Sequence, residues 1–450
     1  MRLRLSTIAA ALAQPVPKHD LLIDGVSTDT RTLQPGQLFV ALKGPNFDGH
    51  EFCDQALKRG AAALLVSQAV ATPLPQLVVT DTRLALGEMA GYWRRQLTLK
   101  VVGITGSNGK TTVKEMTAAI LQTQGKVGFT QGNLNNDIGV PLTLLRLSEQ
   151  EDFGVIEMGA NHLGEIDYSS HYAQPDAAVI TSIGPAHLEG FGSLANTARA
   201  KGEIYHHLSE QGVAVMPYDT PYRKTWQALL HGQRVITFGL DAQADVRACN
   251  LVDAAGLGVT FDLTYRDEKQ PVRINLAGQH NIVNALAASA LALAFAVALP
   301  DIARGLATVR PAPGRLQFKP GYRGCLLLDD SYNANPASVM AGAHALLKVG
   351  REPWVILGAL AELGPDSEAL HERLGRSLRD LGILRLWATG AQAAAAVRGF
   401  GDNSQYFAGQ LELITALKQH LNGREALLIK GSRSQRMENI VAALTAEETE

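Results

Sequence analysis

Short apolar runs bounded by glycine, proline and polar clusters alternate along this chain with longer segments of helical period. A continuous apolar run between turn signals reads as a buried strand, whereas apolar residues three and four apart mark one face of a helix. In the first block, the runs at 37–42, 62–66 and 76–80 read as strands, and the block closes on the polar stretch 80–83. A helical segment over 85–96 then leads to a strand over 100–105, which puts a boundary near residue 84. From 100 to about 310 the pattern is 100–105 then a helix over 111–124, 153–158 then a helix, and 177–181 then a helix. That alternation predicts a mostly parallel sheet covered by helices, because parallel neighbours need a crossover between them. Only its end, 245–276, looks hairpin-like.

The segment Arg310-Pro-Ala-Pro-Gly-Arg315 follows a helical pattern over 301–309 and reads as a hinge, since proline cannot continue a helix. Beyond it the alternation restarts, with strands at 325–329, 354–358, 386–389 and 426–430, which predicts a second open sheet. The fold class is thus α/β, divided as 1–84, 85–312 and 313–450. An alanine run over 391–397 reads as a surface helix and the acidic tail over 446–450 as a frayed end. Arg2 and Arg4 before a short apolar run imitate a signal peptide, but 8–13 is too short for its apolar region, and Ser6 or Thr7 reads better as a helix N-cap. The most apolar window, 285–299, makes a helix only about 22 Å long, against a bilayer core of about 30 Å, and reads as a buried helix.

Composition narrows the class. The 450 residues are 46% hydrophobic and 19% charged, which excludes disordered and fibrous chains, and the length suits two or three domains. Forty-one Lys plus Arg against 43 Asp plus Glu leave a net charge of -2, without the bulk positive field of a nucleic-acid binder, so any polyanion site is local. Cys53, Cys249 and Cys325 are far apart and form no Cys-x-x-Cys pair, so neither a disulfide framework nor a thiolate zinc site is indicated and a reducing cytoplasm fits.

The strongest chemical signal is Val101-Val-Gly-Ile-Thr-Gly-Ser-Asn-Gly-Lys-Thr-Thr112, a strand, a glycine turn and a Lys-Thr helix start. Glycines let backbone N–H groups close on phosphate oxygens, the helix N-terminus adds positive potential, the lysine reaches the outer phosphates and a threonine hydroxyl can hold Mg²⁺. The usual spacing asks for glycine where Ile104 stands, with Gly103 and Gly106 on either side, so the loop is a variant. The next strand ends at Glu157, where open α/β sheets bind ligands, and a carboxylate there suits Mg²⁺. His187 and Lys201 follow near later strand ends, but residue type alone does not separate their functional from their structural roles.

Taken together, these pieces resemble the Mur ligases, ATP-dependent amide ligases of peptidoglycan synthesis, most closely their D-alanyl-D-alanine-adding branch. The ordered matches span nearly the whole chain: Asp29-Thr-Arg31, Asp48-Gly-His50, the phosphate loop, 133–143, Glu157-Met-Gly-Ala-Asn161, 184–189, Ala200-Lys-Gly-Glu-Ile204, Gly278-Gln-His-Asn281, Pro313-Gly-Arg315, 329–336 and Lys430-Gly-Ser-Arg433. The resemblance implies a small N-terminal domain that holds a UDP-N-acetylmuramoyl-tripeptide, a central phosphate-loop ATPase domain and a Rossmann-like ligase domain. It implies UDP recognition by Thr28, Asp29, Thr30, Arg31, Lys43, Asp48 and His50, with Asn135 and Asn136 on the sugar-peptide. ATP falls to Gly106, Ser107, Asn108, Gly109, Lys110, Thr111 and Thr112, with His280 and Asn281 near the adenine and Arg315 and Asp330 approaching from the third domain. Mg²⁺ falls to Thr111, Glu157 and His187. Lys201 takes the position of a carbamylated lysine, which needs a depressed pKa, and Lys110, His187 and Lys201 become the catalytic set. Asn333, Lys430 and Arg433 meet the incoming D-alanyl-D-alanine. The resemblance also implies a monomer that neither binds nucleic acid nor enters a membrane.

Two departures stand out: Ala359 replaces the family's usual aspartate, and Met216-Pro217-Tyr218-Asp219 replaces an asparagine-rich segment. A sister ligase adding one amino acid, or a folylpolyglutamate-synthase-type enzyme, shares the loop; against both stand 133–141 and 329–336, and the absence of an Asp-Asn-Pro-Arg motif. A phosphate-loop switch or transport ATPase is separated by a different criterion, since its phosphate release requires neither a UDP-muramoyl peptide nor an amine.

Overall fold

The computed structural model describes residues 1–184, 188–253 and 258–446, so the expected site residue His187 and the acidic residues 447–450 lie outside the described residues. Among the described residues, three sheets of four or more strands organise the chain. In the first unit, strands Val26–Ser27, Leu38–Val40, Ala63–Val66 and Gln76–Val78 pair in parallel in that order. Their continuous apolar runs reflect cover on both faces: Phe39, Leu64 and Val66 pack with Cys53 and Ala56, and alternate residues Leu38, Val40, Ala63 and Leu65 pack with Leu5 and Ile8.

The first helix, Leu5–Ala11, starts earlier than expected, and neither Ser6 nor Thr7 caps it. Leu3–Arg4 pairs with Leu22–Ile23 as a strand, and Leu5 N–H donates to Leu21 O at 2.8 Å, so Arg4 takes the cap position with no side-chain cap bond. Asp20 accepts from Ser6 N–H at 3.0 Å and supplies the missing acceptor from a neighbouring turn.

Helix Thr82–Gln96, capped by Asp81, opens the central unit. Its nine-stranded sheet runs Val127–Phe129, Phe153–Glu157, Lys100–Thr105, Ala177–Ile180, Val213–Pro217, Arg234–Gly239, Val246–Asp253, Val259–Tyr265 and Glu268–Ile274, parallel up to the last three strands, which form an antiparallel meander. The chain leaves Lys100–Thr105 for one edge, returns beside it as Phe153–Glu157, then crosses to Ala177–Ile180 on the other side. The end of Lys100–Thr105 is therefore a topological switch point, where an open α/β sheet leaves a crevice. The apolar window becomes helix Gln279–Ala294, buried at Ala285, Leu286, Ala290 and Leu291, followed by a separate helix, Leu299–Thr308. Among the described residues, no helix is long and apolar enough to cross a membrane.

The third unit orders its strands Gln317–Pro320, Leu326–Asp329, Glu425–Lys430, Glu352–Gly358, Arg385–Thr389 and Ser404–Phe407, all parallel except the first pair. The alanine run over 391–397 is not a surface helix: Ala393 and Ala396 are fully buried where Ala394–Phe400 crosses Ser367–Leu381. Gly375 and Gly399 let the two backbones meet, since a Cβ at either would lie 2.0 Å from a carbonyl oxygen of the other helix.

Packing divides the chain unequally. One apolar cluster runs from Leu5 and Ile8 through Leu86 and Met89 to Val140 and Leu144, welding the first unit to the central one. The apolar clusters of the third unit draw on no described residue before Leu316.

Candidate active site

Two glycines make the phosphate loop possible. Gly106 has φ +143 and passes so close to Thr181 that a Cβ would lie 2.1 Å from its Oγ1. Gly109, at φ +85, is the cap of helix Lys110–Leu121 and faces Asn284 Oδ1, 2.4 Å from where a Cβ would stand. The helix ladder first closes with Val113 N–H onto Gly109 O at 2.8 Å, leaving the N–H groups of Lys110, Thr111 and Thr112 directed at the crevice. Lys110 curls back over the loop, its Nζ donating to Gly106 O at 2.7 Å and Ser107 O at 3.4 Å. Burial, with help from Arg315, pushes its pKa down, against the pull of Glu157.

Glu157 ends its strand buried, its backbone N–H held by Thr130 Oγ1 at 2.9 Å. Its carboxylate accepts from Thr111 Oγ1 at 3.0 and 3.2 Å and from Asn135 Nδ2 at 2.8 Å. Asn136 serves its own loop, its Oδ1 accepting from Gly139 N–H at 2.8 Å. Lys201, 1% exposed near the end of helix Leu194–Gly202, donates to Ala160 O at 3.2 Å and lies 5.2 Å from the centre of the Phe191 ring. Burial, reinforced by Lys110, lowers its pKa to about 7.

The third unit completes the cleft, which holds about 840 Å³, within the range of small-molecule sites. Arg315 Nη2 donates to Thr111 Oγ1 at 3.1 Å, and its guanidinium lies 4.4 Å from the centre of the Tyr332 ring. Lys430, buried at the end of Glu425–Lys430, pairs with Asp330 and donates to Asn333 O at 3.0 Å. Burial raises the Asp330 pKa despite that lysine. Arg433 N–H donates to Asn333 Oδ1 at 3.3 Å, while its side chain pairs with Glu438 at 2.8 Å. His280 and Asn281 line the central wall; burial, and then Lys430, lower the His280 pKa to about 4, so its ring is neutral at pH 7.

The residues expected to read UDP do not line this cleft. They follow the ends of parallel strands Val26–Ser27 and Leu38–Val40 in the first unit. Asp29 is held below the usual carboxylate range by Arg31, whose Nη2 lies 2.6 Å away; Thr30 Oγ1 donates to Gln55 at 2.7 Å, and Thr28 is half-buried. Asp48 sits 2.6 Å from His50 Nδ1 and 3.6 Å from Lys43, and His50 Nε2 accepts from Ser67 N–H at 2.9 Å. An Arg83–Asp137 pair at 2.9 Å ties the start of the following helix to the loop carrying Asn135 and Asn136.

Sequence reasoning missed Asn284, Ser182 and Asn335. Ser182 Oγ accepts from Asn108 N–H at 3.1 Å, and Asn335 Nδ2 donates across the cleft to Asn108 Oδ1 at 2.8 Å. The asparagine before Pro336 carries a helix N-cap signal, and it does cap Pro336–Leu347, but nothing local announces its partner 227 positions away. Ala359 keeps to the backbone, its N–H on Thr389 O at 3.1 Å and its carbonyl on Ser432 N–H at 3.2 Å.

A glycine loop opening a helix at a switch point, a half-buried lysine, a threonine–carboxylate pair and an arginine just before the first strand of a separate sheet define a phosphate-loop nucleotide-handling enzyme. The chain belongs to the Mur ligase family. Residues 22–94 match the Mur ligase family catalytic domain, 104–292 the Mur ligase middle domain and 314–433 the Mur ligase glutamate ligase domain. It is 45% identical to the UDP-N-acetylmuramoyl-tripeptide–D-alanyl-D-alanine ligase of Escherichia coli, with 98% of each chain covered. Among solved structures, MurF from Acinetobacter baumannii matches with a TM-score of 0.92 and 38% identity over 98% of both chains. MurF ligase from Thermotoga maritima in complex with ADP matches with a TM-score of 0.83 and 27% identity, over 93% of this chain and 96% of that one.

Proposed function

We propose that this chain joins D-alanyl-D-alanine to UDP-N-acetylmuramoyl-tripeptide at the expense of ATP, as its E. coli relative is named for doing. One observation carries the reading: Lys110, the Thr111–Glu157 pair and Arg315 of the third unit converge on one cleft at the mouth of the phosphate loop. The terminal carboxylate of the tripeptide attacks the γ-phosphorus, ADP leaves, and an acyl phosphate forms. The dipeptide amine then attacks the acyl carbon, loses its proton, and the tetrahedral intermediate expels phosphate. Little covalent work falls to the protein, so its contribution is positioning and charge neutralisation. Lys110 and the N–H groups of Gly109 and the helix start take the phosphates, Gly106 and Gly109 let the backbone approach, and Arg315 neutralises charge from the opposite wall. His280 and Asn281 flank the adenine, while Asp330 and Lys430 set the third unit's face, with Asn333 and Arg433 turned toward the dipeptide.

Thr111 and Glu157 suit Mg²⁺, because their hydroxyl and carboxylate already converge and this ion needs only one or two protein carboxylates beside phosphates and water. Mg²⁺ there supplies neutralisation of phosphate charge. Lys201 suits a carbamate: a buried amine with pKa about 7 is substantially neutral at pH 7, as reaction with CO₂ requires. In the first unit, Thr28 to Arg31 and Lys43 to His50 hold the UDP end, with Asn135 and Asn136 along the sugar-peptide. The units at 1–84, 85–312 and 313–450, a monomer, and a reducing cytoplasmic setting for three free cysteines complete the reading.

The test is a substrate panel for ATP-dependent ligation, reading phosphate and coupled product by mass. Phosphate is expected only with both the UDP-muramoyl tripeptide and the dipeptide present. Phosphate release indifferent to either, or no product of the summed mass, rejects the reading.

A further inference from the structure

We infer that Asn335 is a positioning residue: its side-chain amide spans from a third-unit helix to Asn108 of the phosphate loop and fixes the arrangement in which Arg315 meets Thr111. The inference deepens the ligase reading and rests on it. The main chain of Asn108 is already committed to the central sheet. Its N–H donates to Ser182 Oγ at 3.1 Å, and its carbonyl accepts from Thr181 Oγ1 at 2.6 Å and Ser182 Oγ at 3.1 Å. Ser107 N–H is likewise spent, on Ser182 O at 2.8 Å. Phosphate therefore belongs to the N–H groups further along, and Asn108, which the sequence suggests as an ATP contact, serves instead as a docking point for the third unit.

Asn335 is built for this double task. Its Oδ1 accepts from Ser338 N–H at 2.9 Å and Ser338 Oγ accepts from Asn335 N–H at 3.0 Å, a capping box that starts helix Pro336–Leu347. Because the cap consumes the oxygen, the nitrogen must face Asn108, whose own Oδ1 must then accept at 2.8 Å; the cap fixes both amide orientations. Serine or aspartate caps a helix as well, but serine is too short to cross the cleft and aspartate carries no donor. With Arg315 on Thr111, the amide pair gives the third unit a second point of attachment to the loop, and two points set an orientation where one does not.

The experiment uses Asn335→Ser, which keeps the cap and loses the reach, Asn108→Ala, which removes the acceptor, and the double variant. Each single change is expected to lower kcat by about three- to tenfold, the net worth of one hydrogen bond, with calorimetric affinity for an ATP analogue within about twofold of wild type. The double variant is expected to be no slower than the slower single one, because both changes break the same link. Unchanged kcat in Asn335→Ser, or losses that multiply in the double variant, overturns the inference. Should the wild-type protein make no coupled product, the ligase reading fails separately, and small-angle scattering decides the inference: a larger radius of gyration in Asn335→Ser than in wild type, both with the ATP analogue, supports it, and equal radii overturn it.

Discussion

Lys110 is a half-buried cation whose ammonium holds two carbonyl oxygens of its own loop, and the desolvation it meets there depresses its pKa until an anion arrives to share the site. A cation about 4 Å from a phosphoryl charge is worth roughly 4 kcal/mol at an effective dielectric of about 20, nearly a thousandfold in rate. Lys110→Ala is therefore expected to fold normally by circular dichroism and to turn over about a thousandfold more slowly. Lys201 yields a different signature. With its proton leaving near pH 7, the amine is increasingly neutral as pH rises from 6 to 8, so carbamate-dependent turnover rises across that interval and falls on acidification. Lys201→Ala is expected to be slow, to lack this limb, and to be partly rescued by added short carboxylates; normal activity in that variant excludes the carbamate. Lys201 was singled out only by resemblance, whereas Lys110 was legible because it sits in a compact local pattern. Asn284, Ser182 and Asn335 were not: each joins the loop from a distant segment, and local pattern carries no information about which distant residue faces which. The pairs Asp29–Arg31 and Asp48–His50 were legible only by resemblance, since carboxylates beside cations are common on any surface.

Strands were the most legible elements. Runs such as Lys100–Thr105 and Ala177–Ile180 are apolar at consecutive positions because helices cover both faces of the sheet, and their bounds match the sequence reading to within a residue. Helix burial was harder to read. Alanine is compatible with water and with a tight crossing alike, so the run over 391–397 concealed the contact that Gly375 and Gly399 permit. Gly375→Ala is expected to cost about 1–3 kcal/mol, because the obstructing atom is a backbone carbonyl that has no rotamer to change. Gly409→Ser is the control: it stands at a helix cap with open space around it, and is expected to shift stability by no more than a few tenths of a kcal/mol. Chemical denaturation midpoints compare the two. The first helix began early for a related reason, since strand pairing of Leu3–Arg4 outranked the local capping preference of Ser6 and Thr7.

At the scale of the molecule, a continuous apolar cluster unites the first and central units, whereas the third keeps its own, and the named links at the loop, Arg315–Thr111 and Asn335–Asn108, are polar. Calorimetry of the free protein is expected to resolve two transitions, one for the first and central units together and one for the third, with cleavage in 310–314 releasing an intact third unit. A single transition coincident by every probe contradicts this. The break between helix Leu299–Thr308 and strand Gln317–Pro320 was legible from the prolines and glycine of 310–315, but the unequal coupling was not, because it depends on which faces meet. Joints sealed by oil-like surfaces resist exchange, since every side chain on one half must fit the other. The joint at the third unit carries a few directional links instead, so a hybrid enzyme borrowing this lobe from a distant cousin needs a small set of matched partners, chiefly opposite Asn108 and Thr111, rather than a re-carved interior.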